Sequence, residues 1–141
     1  MRTALDSNIL SALWSNEPSA TAIARRLGEA KQEGALLLSP IAYAELLAHP
    51  RATKEFLHTF LADSGIRVDF HLPESTWTES GLRFARYADR RRRSAGEFPK
   101  QLLADFVVGA HALLQADRLM TLDTARYRRD FPELLLFSID V

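Results

Sequence analysis

Short apolar runs alternate along the chain with longer segments in which apolar residues recur at helical spacing. The run at residues 35–38, Ala-Leu-Leu-Leu, has no polar position and is typical of a strand buried on both faces. Between residues 66 and 72, apolar and polar residues alternate, which indicates a strand nearer a sheet edge. With three more short apolar runs, the pattern predicts five strands, at residues 3–5, 35–38, 66–72, 119–122 and 134–137.

Helical spacing and end signals account for the segments between these strands. Residues 19–33 carry apolar side chains at helical intervals, and Gly34 follows as a helix C-cap. Ser39 and Pro40 are an N-cap residue and a proline suited to the first helical position. The other helices are predicted at residues 40–48, 51–62, 73–93, 102–114 and 124–130. Ser64 and Gly65 stop the second of these, a loop follows the third at 94–99, and Pro99 opens the helix over 102–114.

Strands that alternate with helices argue for a parallel sheet covered on both sides. The predicted fold class is therefore α/β, a three-layer α/β/α sandwich with a central, mainly parallel sheet of about five strands. A chain of 141 residues has the length of one domain, so we expect residues 1–141 to form a single domain.

Composition removes several classes of function. The chain is 47% hydrophobic and 26% charged and contains no cysteine, which excludes disulfide scaffolds, thiolate zinc sites, iron–sulfur clusters and thiol catalysis. No apolar run reaches membrane-spanning length, and Asp6 interrupts any signal-peptide core. We therefore expect a cytoplasmic protein with no membrane partner.

The basic residues are mostly arginine. Lys and Arg together number 18 against 18 Asp and Glu, a balance that by itself argues against a simple basic nucleic-acid binder. Arginine forms a solid block at Arg90, Arg91, Arg92 and Arg93 and a second cluster at residues 126–129. The guanidinium fork suits phosphate oxygens, whereas cations at a helix C-terminus also complement the helix dipole. RNA binding by the block and a solvated helix end both stay open.

Four carboxylates lie either directly after a predicted strand or among apolar helical residues. Asp6 and Asp123 each follow a predicted strand, where ligands bind in parallel sheets, although either one alone is also a typical helix N-cap. Glu45 and Asp105 lie in apolar helical surroundings. These apolar surroundings predict that Glu45 is buried. An ionised carboxylate in such surroundings needs a partner, so we expect Asp105 to point into a cleft or at a cation.

Together these carboxylates would repel one another and raise one another's pKa values unless a cation neutralised them. All-oxygen ligands favour Mg²⁺ or Mn²⁺ over zinc, and an acidic pocket with such ions suits phosphoryl chemistry. The histidines offer no competing site, since His111 has the surroundings of a hydrogen-bonded core residue and no H-E-x-x-H motif is present.

The order of these acids, with their flanking residues, resembles the PIN-domain ribonucleases, and specifically the VapC-type toxins of bacterial toxin–antitoxin pairs. The resemblance covers nearly the whole chain and rests on four motifs, at residues 5–10, 39–46, 104–112 and 119–132. Each motif contains one of the four acids, and the fourth ends in the Phe-Pro pair at 131–132.

The resemblance implies a metal-dependent endoribonuclease that acts as the toxin of a type II toxin–antitoxin system and inhibits translation or growth by hydrolysing RNA. It implies Mg²⁺ or Mn²⁺ as cofactor, and it implies RNA, a VapB-type antitoxin and a second copy of the chain as partners. The implied catalytic and metal-binding residues are Asp6, Glu45, Asp105 and Asp123, with Asn8 and Thr121 in support. A non-cleaving RNA- or protein-binding PIN module is the alternative.

Overall fold

A computed structural model describes residues 1–95 and 102–139 of the chain. Within these residues, twelve helices and strands follow one another in the order β1 (Thr3–Leu5), α1 (Ser7–Trp14), α2 (Ala20–Glu33), β2 (Leu36–Leu38), α3 (Pro40–Leu46), α4 (Lys54–Ser64), β3 (Ile66–Val68), α5 (Glu74–Ala95), α6 (Leu103–Gln115), β4 (Arg118–Met120), α7 (Thr124–Asp130) and β5 (Leu136–Phe137). In this described part, no helix has both the length and the apolar character needed to cross a membrane.

The five strands form one sheet in the order β3-β2-β1-β4-β5. Every pairing is parallel, and in the centre Leu5 of β1 lies opposite Met120 of β4. Parallel neighbours require crossover connections, and helices supply each of them. The predicted α/β class and parallel sheet are confirmed.

Both faces of the sheet are covered, because alternate strand residues enter two separate hydrophobic cores. One core holds Leu38 and Met120 together with the buried faces of α1, α2, α3 and α4. The other holds Leu37 and Leu119 with residues of α5, α6 and the end of α7. Since successive strand residues point to opposite faces, the uninterrupted Leu-Leu-Leu of β2 supplies both cores.

Local sequence sets several of the helix ends as predicted. The Ser39 side chain accepts a hydrogen bond from the amide of Ala42 at 3.1 Å, with Pro40 at the start of α3. The α4 helix ends at Gly65, whose φ of 65° is left-handed and therefore suits glycine. The helix predicted over residues 124–130 is observed as α7 with the same bounds.

Several predicted boundaries are wrong. The α4 helix begins at Lys54 rather than at residue 51, and β4 ends at Met120 rather than at residue 122. The strand expected over residues 66–72 ends at Val68, because its neighbour β2 ends at Leu38 and leaves no strand for the next residues to pair with. The loop expected over 94–99 begins later, since Ser94 and Ala95 still belong to α5, and residues 96–99 lie outside the described part. The α6 helix begins at Leu103, four residues beyond Pro99. Hydrophobic spacing did not predict α1, which only the family motif implied.

Candidate active site

A crevice at the carboxyl ends of β1 and β4 is the natural binding position in this sheet. The chain leaves β1 for β2 and β3 on one side and then returns to place β4 and β5 on the other, and ligands of parallel sheets bind where the strand order reverses in this way. Asp6 follows β1, and Thr121 and Asp123 follow β4. The amide of Asp6 donates to the carbonyl of Met120 at 3.0 Å, which ties the two strand ends together.

Asp6 is held at the bottom of this crevice. Its carboxylate is buried, and its Oδ2 accepts hydrogen bonds from the Thr121 hydroxyl at 2.9 Å and from the Tyr127 hydroxyl at 3.0 Å. Burial raises the pKa of Asp6 above its ordinary value, the two hydrogen bonds oppose that rise, and the nearby Asp105 adds to it. Tyr127 is itself buried, and sequence reasoning did not identify it as a site residue.

Asn8 and Thr121 connect the two strand ends through polar side chains. The Thr121 hydroxyl, besides donating to Asp6, accepts from the amide of Asp123 at 3.0 Å and from the Asn8 side chain at 3.4 Å. The Asn8 side-chain oxygen accepts from the amide of Leu122 at 3.2 Å. Both residues thus lie beside the acids that they were predicted to support, and they fix the turn that follows β4.

Glu45 lies on the open rim of the crevice, near the end of α3. The expectation that it is buried is wrong, because its side chain is exposed despite its apolar neighbours in sequence. The Ser7 hydroxyl donates to Glu45 Oε1 at 3.2 Å. Partial desolvation raises the pKa of Glu45, and the charges of Asp6 and Asp105 raise it further. A groove of about 280 Å³ continues from Glu45 along α1 and the segment after α3, lined by Ser7, Ser11, Glu45, Leu46, Ala48, His49 and Pro50.

The remaining two acids share one cation. Arg126 donates from Nη1 to Asp105 Oδ1 at 2.9 Å, and its Nη2 lies 2.7 Å from Asp123 Oδ2. Asp105 therefore points at a cation, one of the two outcomes expected for it. Sequence analysis placed Arg126 only in an arginine cluster, although Asp123 immediately precedes α7 and lies three residues before Arg126, a spacing at which side chains can pair.

The chemistry of these donors fits a hard divalent cation. All four acids offer carboxylate oxygens, and the supporting groups are hydroxyls and an amide. The charge of Asp105 raises the pKa of Asp6, and the charges of Asp6 and Asp105 raise the pKa of Glu45. As the side chains stand within the described residues, however, no three of the acids or histidines are grouped tightly enough to enclose an ion. Hydrogen bonds hold Asp6, and Arg126 holds Asp105 and Asp123.

The arginine block does not form one surface. Consecutive helical residues point about 100° apart, so Arg90 turns to the buried Asp130 while Arg93 pairs with Asp89 at 3.1 Å and Arg92 is exposed. Arg90 instead belongs to an arginine pocket of about 190 Å³ between α5 and the end of α7. Its lining residues are Arg83, Arg86, Arg90, Arg129, Asp130, Pro132 and Glu133.

The arginine pocket adjoins the acidic crevice. Asp130 lines both the pocket and a narrow cleft that contains Asp105 and Arg126. Arg83 donates to Glu133 at 2.6 Å and to the carbonyl of Asp130 at 3.0 Å. Among the described residues, Arg86 has no hydrogen bond or ion pair.

His111 is the histidine that sequence analysis expected in the core. It is buried in α6, and its Nε2 lies 2.8 Å from Asp69 Oδ2, just after β3. Burial lowers its pKa, while the hydrogen bond to Asp69 opposes the shift. The expectation of a hydrogen-bonded core histidine is met by this geometry.

The covered parallel sheet and the acids at its switch point define an α/β protein with an acidic crevice as its candidate active site. The PIN domain family model matches residues 3–132, and the chain therefore belongs to the PIN domain family. No curated protein sequence matches the chain significantly.

Three solved structures share the fold. VapBC2 from Rickettsia felis, solved bound to a DNA fragment from its promoter, is 19% identical with a TM-score of 0.66, over 99% of this chain and 100% of the other. VapBC-1 from nontypeable Haemophilus influenzae is 23% identical with a TM-score of 0.66, over 98% of each chain. FitAcB from Neisseria gonorrhoeae is 20% identical with a TM-score of 0.56, over 96% of each chain.

Proposed function

We propose that this PIN domain is a divalent-metal-dependent endoribonuclease and the toxin of a type II toxin–antitoxin pair. The observation that carries the proposal is the convergence of four carboxylates from separate motifs on one crevice. Asp6 and Asp123 reach it from the ends of β1 and β4, and Glu45 and Asp105 reach it from α3 and α6. Buried and clustered carboxylates cost stability, and a cation-dependent reaction gives them a task.

The four acids have two kinds of role in the proposed mechanism. Asp6, Asp105 and Asp123 would hold Mg²⁺ or Mn²⁺, which when bound polarises the scissile phosphate and eases deprotonation of the attacking water. Thr121 and Tyr127 keep the carboxylate of Asp6 in one orientation. Glu45 lies on the rim, where it accepts a hydrogen bond from the water and orients it toward phosphorus. The water oxygen would then bond to phosphorus while its proton passes to solvent. The bond from phosphorus to the leaving ribose oxygen would break, and that oxygen would take a proton from solvent.

The arginine pocket gives the RNA backbone a place beside the crevice. Arg86 and Arg90 lie on one face of α5, and Arg129 faces them from α7. We infer that this face, rather than the whole Arg90–Arg93 block, contacts phosphate, because guanidinium forks pair well with phosphate oxygens. Arg91, Arg92 and Arg93 are not among the residues that line this pocket.

The proposed partners are a VapB-type antitoxin and a second copy of the chain. The structural neighbours include toxin–antitoxin complexes named VapBC, and the fold they share with this chain supports the same assembly here. A short reading frame for a small DNA-binding protein beside the gene, and a complex of the two products on co-expression, would be expected. Light scattering after size exclusion tests the homodimer.

The proposed reaction is tested by incubating purified protein with total RNA in Mn²⁺, in Mg²⁺ and in excess EDTA. Asp105→Asn removes one proposed ligand and is expected to lower the cleavage rate about 100-fold or more, because the cation supplies most of the charge stabilisation. Asp63→Asn is the matched control, since Asp63 is exposed on α4 away from the crevice, and it should cleave at the wild-type rate.

Cleavage that persists in EDTA, or that Asp105→Asn leaves intact, would contradict the metal-dependent reaction. RNA binding without cleavage under every metal condition would instead favour the non-cleaving module. One observation favours that second candidate, namely that Arg126 already neutralises two of the four acids. Circular dichroism on each variant separates loss of activity from loss of fold.

A further inference from the structure

Arg126 lies between two acids of the candidate active site and contacts both. Its two terminal nitrogens are used separately, one at 2.9 Å from Asp105 and the other at 2.7 Å from Asp123. Within the described residues, it is the one cation at ion-pair distance from any of the four acids. The side chain is about one-third exposed (33%), so the bridge lies at the mouth of the crevice and is open to exchange with solvent ions.

The α7 helix gives this bridge a fixed position. Arg126 and Tyr127 are consecutive, and they engage different acids, since the Tyr127 hydroxyl donates to the buried Asp6. Arg128, one residue further on, is exposed and has no ion pair in the described part of the chain. Arg126 is thus distinguished from its neighbours by its contacts rather than by its charge.

Electrostatically, the guanidinium stands where a divalent cation is needed. Burial opposes the charge of Arg126, but the carboxylates of Asp105, Asp123 and Asp6 outweigh it and raise its pKa, so the side chain stays charged. A divalent cation held by Asp105 and Asp123 would need the oxygens that Arg126 now occupies.

We propose that Arg126 is a resident counterion of the acidic site that a divalent cation must displace in order to bind. The inference rests on the proposed function, because it assumes that the acids hold a metal ion. It goes beyond that function because it makes the Arg126 guanidinium a competitor of the metal ion for the carboxylates. This competition sets the free metal concentration above which the site binds the ion.

Competition and support make opposite predictions for the removal of Arg126. If the guanidinium competes with the metal, Arg126→Gln frees both carboxylates and metal binding becomes tighter. If it is a clamp that only organises the acids, the same substitution leaves them mutually repelled and disordered, and metal binding becomes weaker or stays unchanged. The direction of the change therefore decides between the two roles.

The test is a titration of metal-free protein with Mn²⁺ alone, without RNA, in which electron paramagnetic resonance measures the free ion. Arg126→Gln is expected to lower the Mn²⁺ Kd about tenfold, the equivalent of about 1.4 kcal/mol. Arg128→Gln removes the same charge from the same helix without breaking an ion pair, so it measures the long-range effect and should change the Kd less than about twofold. Asp105→Asn identifies the site by loss of binding.

Arg126→Lys provides a second variant that keeps the charge. A single ammonium cannot span two carboxylates as the planar fork does, so its Mn²⁺ Kd is expected between those of the wild type and Arg126→Gln. A wild-type protein that binds Mn²⁺ while Arg126→Gln binds no more tightly than Arg128→Gln would overturn the role of Arg126 alone. Absence of Mn²⁺ binding in every variant would overturn it together with the proposed metal dependence.

Discussion

The carboxylate of Asp6 depends on two hydroxyls that arrive from different parts of the chain. Thr121 comes from the turn after β4, and Tyr127 comes from α7. Both contacts reach the same oxygen of a side chain that burial makes costly to ionise. The residue is therefore held in place by neighbours that have no charge of their own, and this leaves the charge available to a cation.

A second buried titratable group, His111, makes the stability of the protein depend on pH. Burial lowers its pKa below the ordinary value, the hydrogen bond to Asp69 opposes this, and Arg67 lowers it slightly more. As the pH falls below 6.5, the ordinary value of histidine, the unfolded chain takes up a proton before the folded protein does. The free energy of unfolding therefore falls through this residue on going from pH 7 to pH 5.

His111→Gln is expected to make that loss smaller, because glutamine keeps a polar group near Asp69 but does not titrate. Urea unfolding at pH 7 and at pH 5 measures the difference for each protein. The loss in His111→Gln is compared with that in His71→Gln, which replaces a histidine at an exposed position after β3. An equal loss in His111→Gln and wild type would show that His111 does not carry it.

At the scale of helices and strands, the sequence predicts elements well where local chemistry decides their ends. Ser39 and Pro40 start α3, and Gly65 ends α4, because each residue satisfies or terminates backbone hydrogen bonds within one turn. The end of β3 is different. It depends on where β2 ends, because the last residue of β3, Val68, pairs with the last residue of β2, Leu38. No pattern within residues 66–72 carries that information.

The same distinction applies to the candidate site. The four acids were predicted from strand ends and from charge in apolar surroundings, which are local signals. Their partners were missed, because Arg126 reaches Asp105 across 21 residues of chain and Tyr127 reaches Asp6 across 121. Glu45 shows the converse error, since apolar neighbours in sequence suggested burial while the position of α3 at the crevice rim exposes it.

Gly109 in α6 and Gly81 in α5 differ in how closely other residues pack against them. A Cβ at Gly109 would lie 2.4 Å from the ring of Phe131, which is itself fully buried and cannot move aside, whereas a Cβ at Gly81 in α5 would meet nothing within 4 Å. Gly109→Ala is expected to destabilise the protein by about 1–3 kcal/mol through overpacking. Gly81→Ala should stabilise it by about 0.5–1 kcal/mol through helix propensity.

Chemical denaturation of the two variants measures both effects with the same substitution in two helices. A stabilising Gly109→Ala would mean that Phe131 does not pack against α6 as described. A destabilising Gly81→Ala would indicate that this face of α5 is covered in solution, for example by a second copy of the chain.

Across the whole molecule, equal numbers of acidic and basic residues conceal an uneven arrangement. Asp105 lies in a narrow cleft with Arg126, and Asp130 lines both that cleft and the arginine pocket. A balanced chain can therefore present a cation-binding site and a phosphate-binding face side by side. Net charge did not reveal this, because it sums the two.

The arrangement predicts which arginines an RNA strand meets. Arg86 lines the arginine pocket and has no ion pair within the described residues, whereas Arg92 lies on the same helix and is exposed on another side. In EDTA, where the proposed cleavage is blocked, Arg86→Gln is expected to weaken binding of single-stranded RNA. It should also reduce the slope of log K against log salt by about 0.7, the value for one lost phosphate contact.

Fluorescence anisotropy over a salt series measures both quantities, and Arg92→Gln removes an equal charge as the matched control. Because a phosphate contact releases a counterion and a distant charge does not, only Arg86→Gln should change the slope. Equal changes in the two variants would indicate that RNA binds a diffuse basic surface that includes the Arg90–Arg93 block, and not the arginine pocket in particular. An unchanged slope in both would mean that these arginines serve the helix end and its ion pairs, and that RNA approaches the acids from the groove beside Glu45.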